Sequence, residues 1–312
     1  MIVVGGFNSA IDKLADTDAI EAGKVLRLRN LRLLAGGKGL HVALACGVLR
    51  EAATLVGVID DQNRSLFERT LAPHGTRFVG VRIHEPVRTC FALRDASGRT
   101  TELLEPSAPV NAGVADALED AFLSVSRDAH FSVLSGSLPT GLADDTYARL
   151  IAKNGSARTL LDASGAALAC GVAAAPLLVK PNRDEAAQLV DVSIDTADAG
   201  VRAASRIAAR GPRIVIVSLG ADGAIVWSDG TALHVTAPSV EARNTVGAGD
   251  CLLAGFVVGL TRQWTLEACA RYAVACGTAK VQHPETGMLR REDVEALLPH
   301  VAVHACRGGE YT

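Results

Sequence analysis

The chain has 312 residues, 49% hydrophobic and 21% charged, with 30 Gly, 11 Pro and 4% aromatics, an ordinary globular composition. An α/β chain of this size buries roughly three quarters of its unfolded surface, so it needs no staple to hold a core. Lys plus Arg number 31 against 34 for Asp plus Glu, and the net charge of −3 gives no footprint for nucleic acid or an acidic membrane, which disfavours polyanion binding as the main role.

In chain order, β-branched runs alternating with helical patterns predict a strand at 3–7 (VVGGF), a helix at 38–50, a strand at 54–58 (TLVGV) and a helix near 64–72. Next come a strand at 131–134, a helix at 144–153, strands at 159–162 and 177–180, helices at 183–189 and 198–209, and a strand at 214–218. Strands apolar on both faces suit a mostly parallel sheet flanked by helices with right-handed crossovers, an α/β fold. Ligands are then expected at the carboxyl ends of the strands.

Two stretches, 12–34 and 77–105, break this rhythm. Within them RFVGVRI, RTCFALRD and RTTELLE read as antiparallel strands of a small sheet, the last two joined by the turn Asp95-Ala96-Ser97-Gly98. Such a sheet would serve as a lid or a dimer surface. No repeat or Pro-rich linker divides the chain, so one domain over 1–312 is expected, with the tail RGGEYT at 307–312 frayed. The longest apolar runs, 251–260 and 166–179, are too short to span a bilayer, and the second contains Pro176. MIVVGGFNSAID has no basic region, apolar core or cleavage site of a signal peptide, which points to the cytoplasm. Seven cysteines without a CxxC pair read as reduced core residues.

Four motifs carry candidate chemistry. In NTVGAGDCLLAGF (244–256), Gly247 and Gly249 let backbone N–H groups approach an anion at a helix N-terminus, and Asp250 stands in the first turn. Phosphoryl transfer needs a proton acceptor for the attacking hydroxyl and fixed N–H donors for the transferred group, and this turn offers both. The alternative is a carboxylate that merely caps a helix. In AGGKGLH (35–41), Gly36, Gly37 and Gly39 surround Lys38 without the full P-loop spacing, so the loop reads as a sugar site with Lys38 donating to a phosphate, or as an ordinary Gly turn. SLGADGA (218–224) is either a nucleotide turn or a hairpin turn. In KPNRDE (180–185), Asn182 and Glu185 could orient waters around Mg²⁺ or form a helix cap.

Together the four motifs resemble the PfkB, ribokinase-like, family of carbohydrate kinases over essentially the whole chain. The resemblance implies a Rossmann-like core with a small β lid, ATP with Mg²⁺, and transfer of the γ-phosphoryl to a sugar hydroxyl. It implies Asp250 as catalytic base, Gly247, Ala248 and Gly249 as anion hole, and Asn182 with Glu185 as the NxxE motif, Glu185 acting on the metal through water. Ser218 to Gly223, with Ser218, Gly220 and Gly223, matches the nucleotide turn. The nearest likeness is to the phosphosugar branch, tagatose-6-phosphate kinases and 1-phosphofructokinases. There Lys38 and Arg88 match positions holding the substrate's own phosphate, Asp12 matches the carboxylate on sugar hydroxyls, and Gly36 and Gly37 line the sugar loop.

TELLE (101–105), SGSLPTG (135–141), DASGAAL (162–168) and QHPETG (282–287) resemble the tagatose-6-phosphate subgroup more than the fructose-1-phosphate one. Departures fall mainly on the sugar side: His41 replaces the usual Asn of GGKGxN, Ser9 the Pro of NPxxD, and Ser107-Ala108 a Gly-Pro, while the loop at 59–64 lacks its glycines and Cys251 replaces Ser. His41 would bond a sugar oxygen or pack against the lid, and Arg27 would bind phosphate or lie exposed. Relatives with lid sheets imply a homodimer through the lid. The competing readings are a kinase of a neutral sugar or nucleoside and a non-enzymatic sugar-phosphate sensor. A dinucleotide-dependent dehydrogenase is disfavoured because no GxGxxG follows the first strand.

Overall fold

The computed structural model describes residues 1–306; the tail at 307–312 lies outside them. Fourteen strands are described: β1 (Ile2–Gly5), β2 (Ala10–Asp16), β3 (Arg29–Gly36), β4 (Ala53–Ile59), β5 (Thr76–Arg82), β6 (Arg88–Arg94), β7 (Thr100–Leu104), β8 (Phe131–Ser135), β9 (Thr159–Asp162), β10 (Leu178–Val179), β11 (Ile214–Ser218), β12 (Ala224–Ser228), β13 (Thr231–Thr236) and β14 (Ala302–Cys306). The helices are α1 (Lys38–Val48), α2 (Arg64–Leu71), α3 (Ala112–Ser126), α4 (Thr146–Asn154), α5 (Gly165–Ala173), α6 (Arg183–Val190), α7 (Ala197–Ala208), α8 (Ala248–Thr261), α9 (Leu266–Gln282) and α10 (Arg291–Leu297).

Ten strands form one sheet in the order β14-β13-β12-β11-β10-β9-β8-β1-β4-β5. It is parallel from β5 to β11 and antiparallel from β11 to β14. Strands such as IVVG and TLLD are buried along their whole length, as two-sided helix cover requires. Phe7, with no exposure, packs edge-on against Phe122 of α3 at 6.0 Å and against Tyr147 of α4 at 5.9 Å. The chain winds from β1 through β4 to β5 and then returns to β8 on the other side of β1. Order therefore reverses beside β1, the kind of switch point at whose carboxyl ends ligands gather in such sheets.

The small sheet has the order β3-β2-β6-β7, and its β2–β6 pair is parallel, unlike the expected all-antiparallel set. The hairpin between β6 and β7 turns through Asp95 to Gly98 as expected, with Asp95 Oδ1 accepting from the N–H of Ser97 and of Arg99. RFVGVRI is a correction: it is β5, the parallel edge of the main sheet beside β4, so the second small-sheet segment begins near 88 rather than 77. It is an edge strand packed by α2, where Phe67 lies 5.2 Å from Phe78, and by α3, and most of its residues are only half-buried.

Pleating sorts the small sheet. Asp12 pairs with Cys90 and Cys90 with Leu104, so with Arg88 and Glu102 they share one face. The adjacent row, Leu33, Lys13, Phe91 and Leu103, faces the other way. Leu31, Leu33 and Leu103 are exposed there, while Lys13 Nζ lies 5.0 Å from the Phe91 ring centre.

Candidate active site

A cleft of about 660 Å³ opens between the small sheet and the carboxyl ends of the main sheet. It gathers Asp12, Gly37, Lys38, His41, Arg88, Asn182, Glu185, Ser218, Gly220, Gly247, Ala248, Gly249 and Asp250 on its walls. Two predicted residues lie elsewhere. Gly36 sits behind Asp12, where an added Cβ would lie 2.2 Å from Asp12 Oδ1, so its lack of a side chain makes room for that carboxylate. Gly223 lines a second, mostly apolar cavity of about 460 Å³ with Val240, Leu252, Val274 and Val281. Both cavities touch Ser218, Gly220, Ala248 and Gly249.

The loop before α8 is a backbone feature. Gly247 is its N-cap at φ 87°, and no side chain caps the first turn, which leaves helix N–H groups at the cleft. Asn244 braces the loop: its Oδ1 accepts from the Val246 N–H at 2.9 Å and its Nδ2 donates to the Pro284 carbonyl at 3.1 Å. Asp250, 5% exposed, sits in that first turn. Burial works to raise its pKa, but the hydrogen bond and charge of His41, with Lys38 and Lys180, hold it below the usual carboxylate value.

Lys38, at the start of α1, turns toward Asp162 at the end of β9, with Nζ 3.8 Å from Oδ1. Asp162 and, more weakly, Asp250 and Glu185 push its pKa up against burial. Arg88 lies on the small-sheet face; among the described residues it forms no ion pair, and its buried Nε has no hydrogen-bond partner. His41 packs against the small sheet with both ring nitrogens occupied: Nε2 approaches Asp12 Oδ2 of β2 at 3.1 Å and Nδ1 approaches Asp250 Oδ2 at 2.9 Å.

Asn182 and Glu185 form a capping box on α6. Asn182 Oδ1 accepts from the Glu185 N–H at 2.8 Å, and Glu185 Oε2 accepts from the Asn182 N–H at 2.9 Å. The pair is thus a cap that also lines the cleft. SLGADGA likewise serves two ends: it joins the antiparallel β11 and β12, and it forms cavity wall. A Cβ on Gly223 would lie 1.9 Å from the Val235 carbonyl oxygen, so that glycine lets two strands close up.

Three residues have roles that the motifs left unassigned. Buried Lys180 lies 3.1 Å from buried Asp162 Oδ2 and beside Gly249, whose added Cβ would come 3.3 Å from Nζ. Glu102 faces the cleft with its pKa raised by burial and by Asp12. Lys280 of α9, with no exposure, donates from Nζ to the carbonyl of Asn244 at 2.7 Å and of His283 at 3.3 Å. Burial lowers its pKa to about 8. The signal for Lys280 was a lone Lys within an apolar helix, ACGTAKVQ.

Residues 1–291 match the model of the pfkB family carbohydrate kinases. The chain belongs to that family. It is therefore a phosphotransferase with an alcohol group as acceptor, and ATP is its family's phosphoryl donor. It is 32% identical to 1-phosphofructokinase of Xanthomonas campestris over 306 residues, 96% of each chain. Tagatose-6-phosphate kinase of Staphylococcus epidermidis is 27% identical over 97% of this chain and 99% of its own. The structure of phosphofructokinase-2 from Escherichia coli with substrates and products superposes with a TM-score of 0.89 at 27% identity, over 96% of this chain and 98% of that one. The α/β kinase with a small sheet expected from the motifs is the fold of this chain.

Proposed function

We propose that the enzyme phosphorylates a ketohexose phosphate, with the small sheet as a lid over the cleft. The observation that carries this reading is Arg88: a guanidinium on the sugar-side face with a buried, unpartnered nitrogen and no carboxylate of its own. A neutral sugar would leave that donor unpaired at a cost of about 1–3 kcal/mol, whereas a phosphate would accept from it. Relatives bearing the 1-phosphofructokinase and tagatose-6-phosphate kinase names match at 32% and 27% identity, so the proposal is for their shared substrate class.

In this reading the apolar cavity takes the nucleobase, and the triphosphate runs past Ser218 and Gly220 to the N–H groups at Gly247–Gly249. Lys38 and Lys180, with Asp162 between them, lie on the phosphoryl-transfer side; this moves Lys38 from the sugar's phosphate toward the transferred group. Asp12 holds sugar hydroxyls. Asp250, with Oδ2 occupied by His41, has Oδ1 for the acceptor hydroxyl. As the sugar oxygen bonds to the γ-phosphorus and the bond to ADP breaks, the hydroxyl proton passes to Asp250.

Among the described residues no three His, Cys, Asp or Glu groups converge as a metal cage. Glu185, on the cleft wall with Oε1 outside its capping bond, would meet through water an Mg²⁺ carried in on nucleotide phosphates. When bound, the ion would neutralise phosphate charge. The exposed row of Leu31, Leu33 and Leu103 supports a homodimer through the small sheet, which light scattering of wild type and L33E would test.

The test of function is ATP consumption over fructose 1-phosphate, tagatose 6-phosphate, fructose 6-phosphate and the unphosphorylated sugars. One phosphorylated ketohexose should exceed its neutral parent in kcat/KM, and Arg88→Ala should raise KM for the phosphorylated sugar about 10- to 100-fold while sparing the neutral one. Equal effects on both refute the clamp.

A further inference from the structure

His41 stands in the first turn of α1, 4% exposed, with one ring nitrogen against each of two carboxylates from different elements, Asp12 of β2 and Asp250 of α8. An ionised carboxylate only accepts hydrogen bonds, and imidazole has one N–H when neutral and two when charged. A neutral ring would set a bare nitrogen lone pair against one carboxylate, or require that carboxylate to hold a proton. Two ionised carboxylates at these distances call for two N–H donors.

The ring is also held in place. It packs on Gly287, where an added Cβ would lie 2.1 Å from Cδ2, and beside Gly247, where one would lie 3.5 Å from Nδ1. Two glycines from separate loops thus open the slot that the imidazole fills.

We propose that His41 is a positioning residue, a doubly donating bridge that locks Asp250 and Asp12 into one unit, so that each presents Oδ1 to the substrate. The bridge stands on geometry; the roles of the two carboxylates rest on the functional reading above. An amide, the residue the family resemblance implies at this position, has a single NH₂ group to share and never titrates.

The charged and titratable groups around the ring come from every neighbouring wall. Asp12 comes from β2, Arg88 and Cys90 from β6, Glu102 from β7, Lys38 from α1, Lys180 from the end of β10, and Asp250 from α8. Burial pulls the His41 pKa down, but the hydrogen bonds to Asp12 and Asp250 outweigh it and raise it to about 9. The bridge is then charged at neutral pH. Above about 9 one carboxylate loses its donor and turnover declines.

The test combines ring-nitrogen NMR with kinetics on the full chain. In ¹⁵N-labelled protein, His41, one of eight histidines and identified by its loss in His41→Asn, should show two protonated ring nitrogens at pH 7.5. Asp12→Asn should lower its titration midpoint. The wild-type kcat/KM profile should carry an alkaline limb near pH 9, and His41→Asn should lack that limb and turn over about 10- to 100-fold more slowly. A neutral ring at pH 7.5, or an unchanged alkaline limb in His41→Asn, overturns the proposal. No turnover on any sugar of the panel would overturn the functional reading, while the NMR result would still decide the bridge.

Discussion

Replacing Lys280 by methionine should stabilise the fold at neutral pH and impair the reaction together. Its ammonium is fully buried, with only carbonyl oxygens as hydrogen-bond partners. Its folded pKa of about 8 against 10.5 means that the charged form costs about 3 kcal/mol at pH 7. Because the folded pKa is the lower one, stability is fully present above about 10.5 and is lost as pH falls through 8. At pH 9.5 the residual cost is between about 1 and 2 kcal/mol. Lys280→Met removes that cost but leaves the Asn244 carbonyl without its donor, worth about 1–3 kcal/mol.

The variant should therefore match or exceed wild type in urea stability at pH 7, and its advantage should shrink by about 2 kcal/mol by pH 9.5. Asn244 anchors the loop that presents Gly247 to Asp250, so kcat should still fall about tenfold. Denaturation at both pH values, with steady-state rates on the best panel sugar, checks both halves. A variant less stable by the same amount at both pH values, or one with wild-type kcat, refutes the reasoning.

Three further outcomes are expected. Asp250→Asn should lower kcat about 10²- to 10⁴-fold and leave sugar KM within about threefold, and near-normal turnover would reject Asp250 as base. Gly36→Ala drives a Cβ into the Asp12 carboxylate at 2.2 Å, so it should cost about 1–3 kcal/mol in thermal stability and raise sugar KM, as paired melting and kinetic curves will show. The raised pKa of His41 gives stability that is fully present below about 6.5 and lost as pH rises through about 9. Wild type should therefore lose on the order of 3 kcal/mol relative to His41→Asn across that window, and parallel stability profiles would contradict the bridge.

What the sequence disclosed follows the range of each interaction. The loop at 244–250 was legible because glycines, helix start and carboxylate lie within seven residues, and backbone N–H groups need no distant partner. The parallel strands were legible because both faces are buried. β5 was misassigned because, half-buried at the sheet edge, it lacks the fully buried run of the central parallel strands, and β12 to β14 were passed over because a mixed sheet's antiparallel end has no βαβ signature. Asn182 and Glu185 carried two readings because a capping box and a cleft wall use the same spacing.

The sugar side was opaque for a different reason: its chemistry is made by contacts across 29 and 209 residues. A histidine in place of an amide offered either a bond to a sugar oxygen or packing against the lid, and in the fold it meets two cleft carboxylates. Two ionised aspartates packed together without a cation would repel each other, and burial would push one to protonate. A base that is already protonated takes no proton. Phosphates arriving from the nucleotide and from the sugar would increase that pressure, since both bring negative charge to the same cleft. A cation fixed between the carboxylates opposes it before either substrate binds. The substitution therefore bears on the ionisation of the base as much as on sugar contact, which is why its decisive readout is the alkaline limb of the rate profile rather than substrate preference.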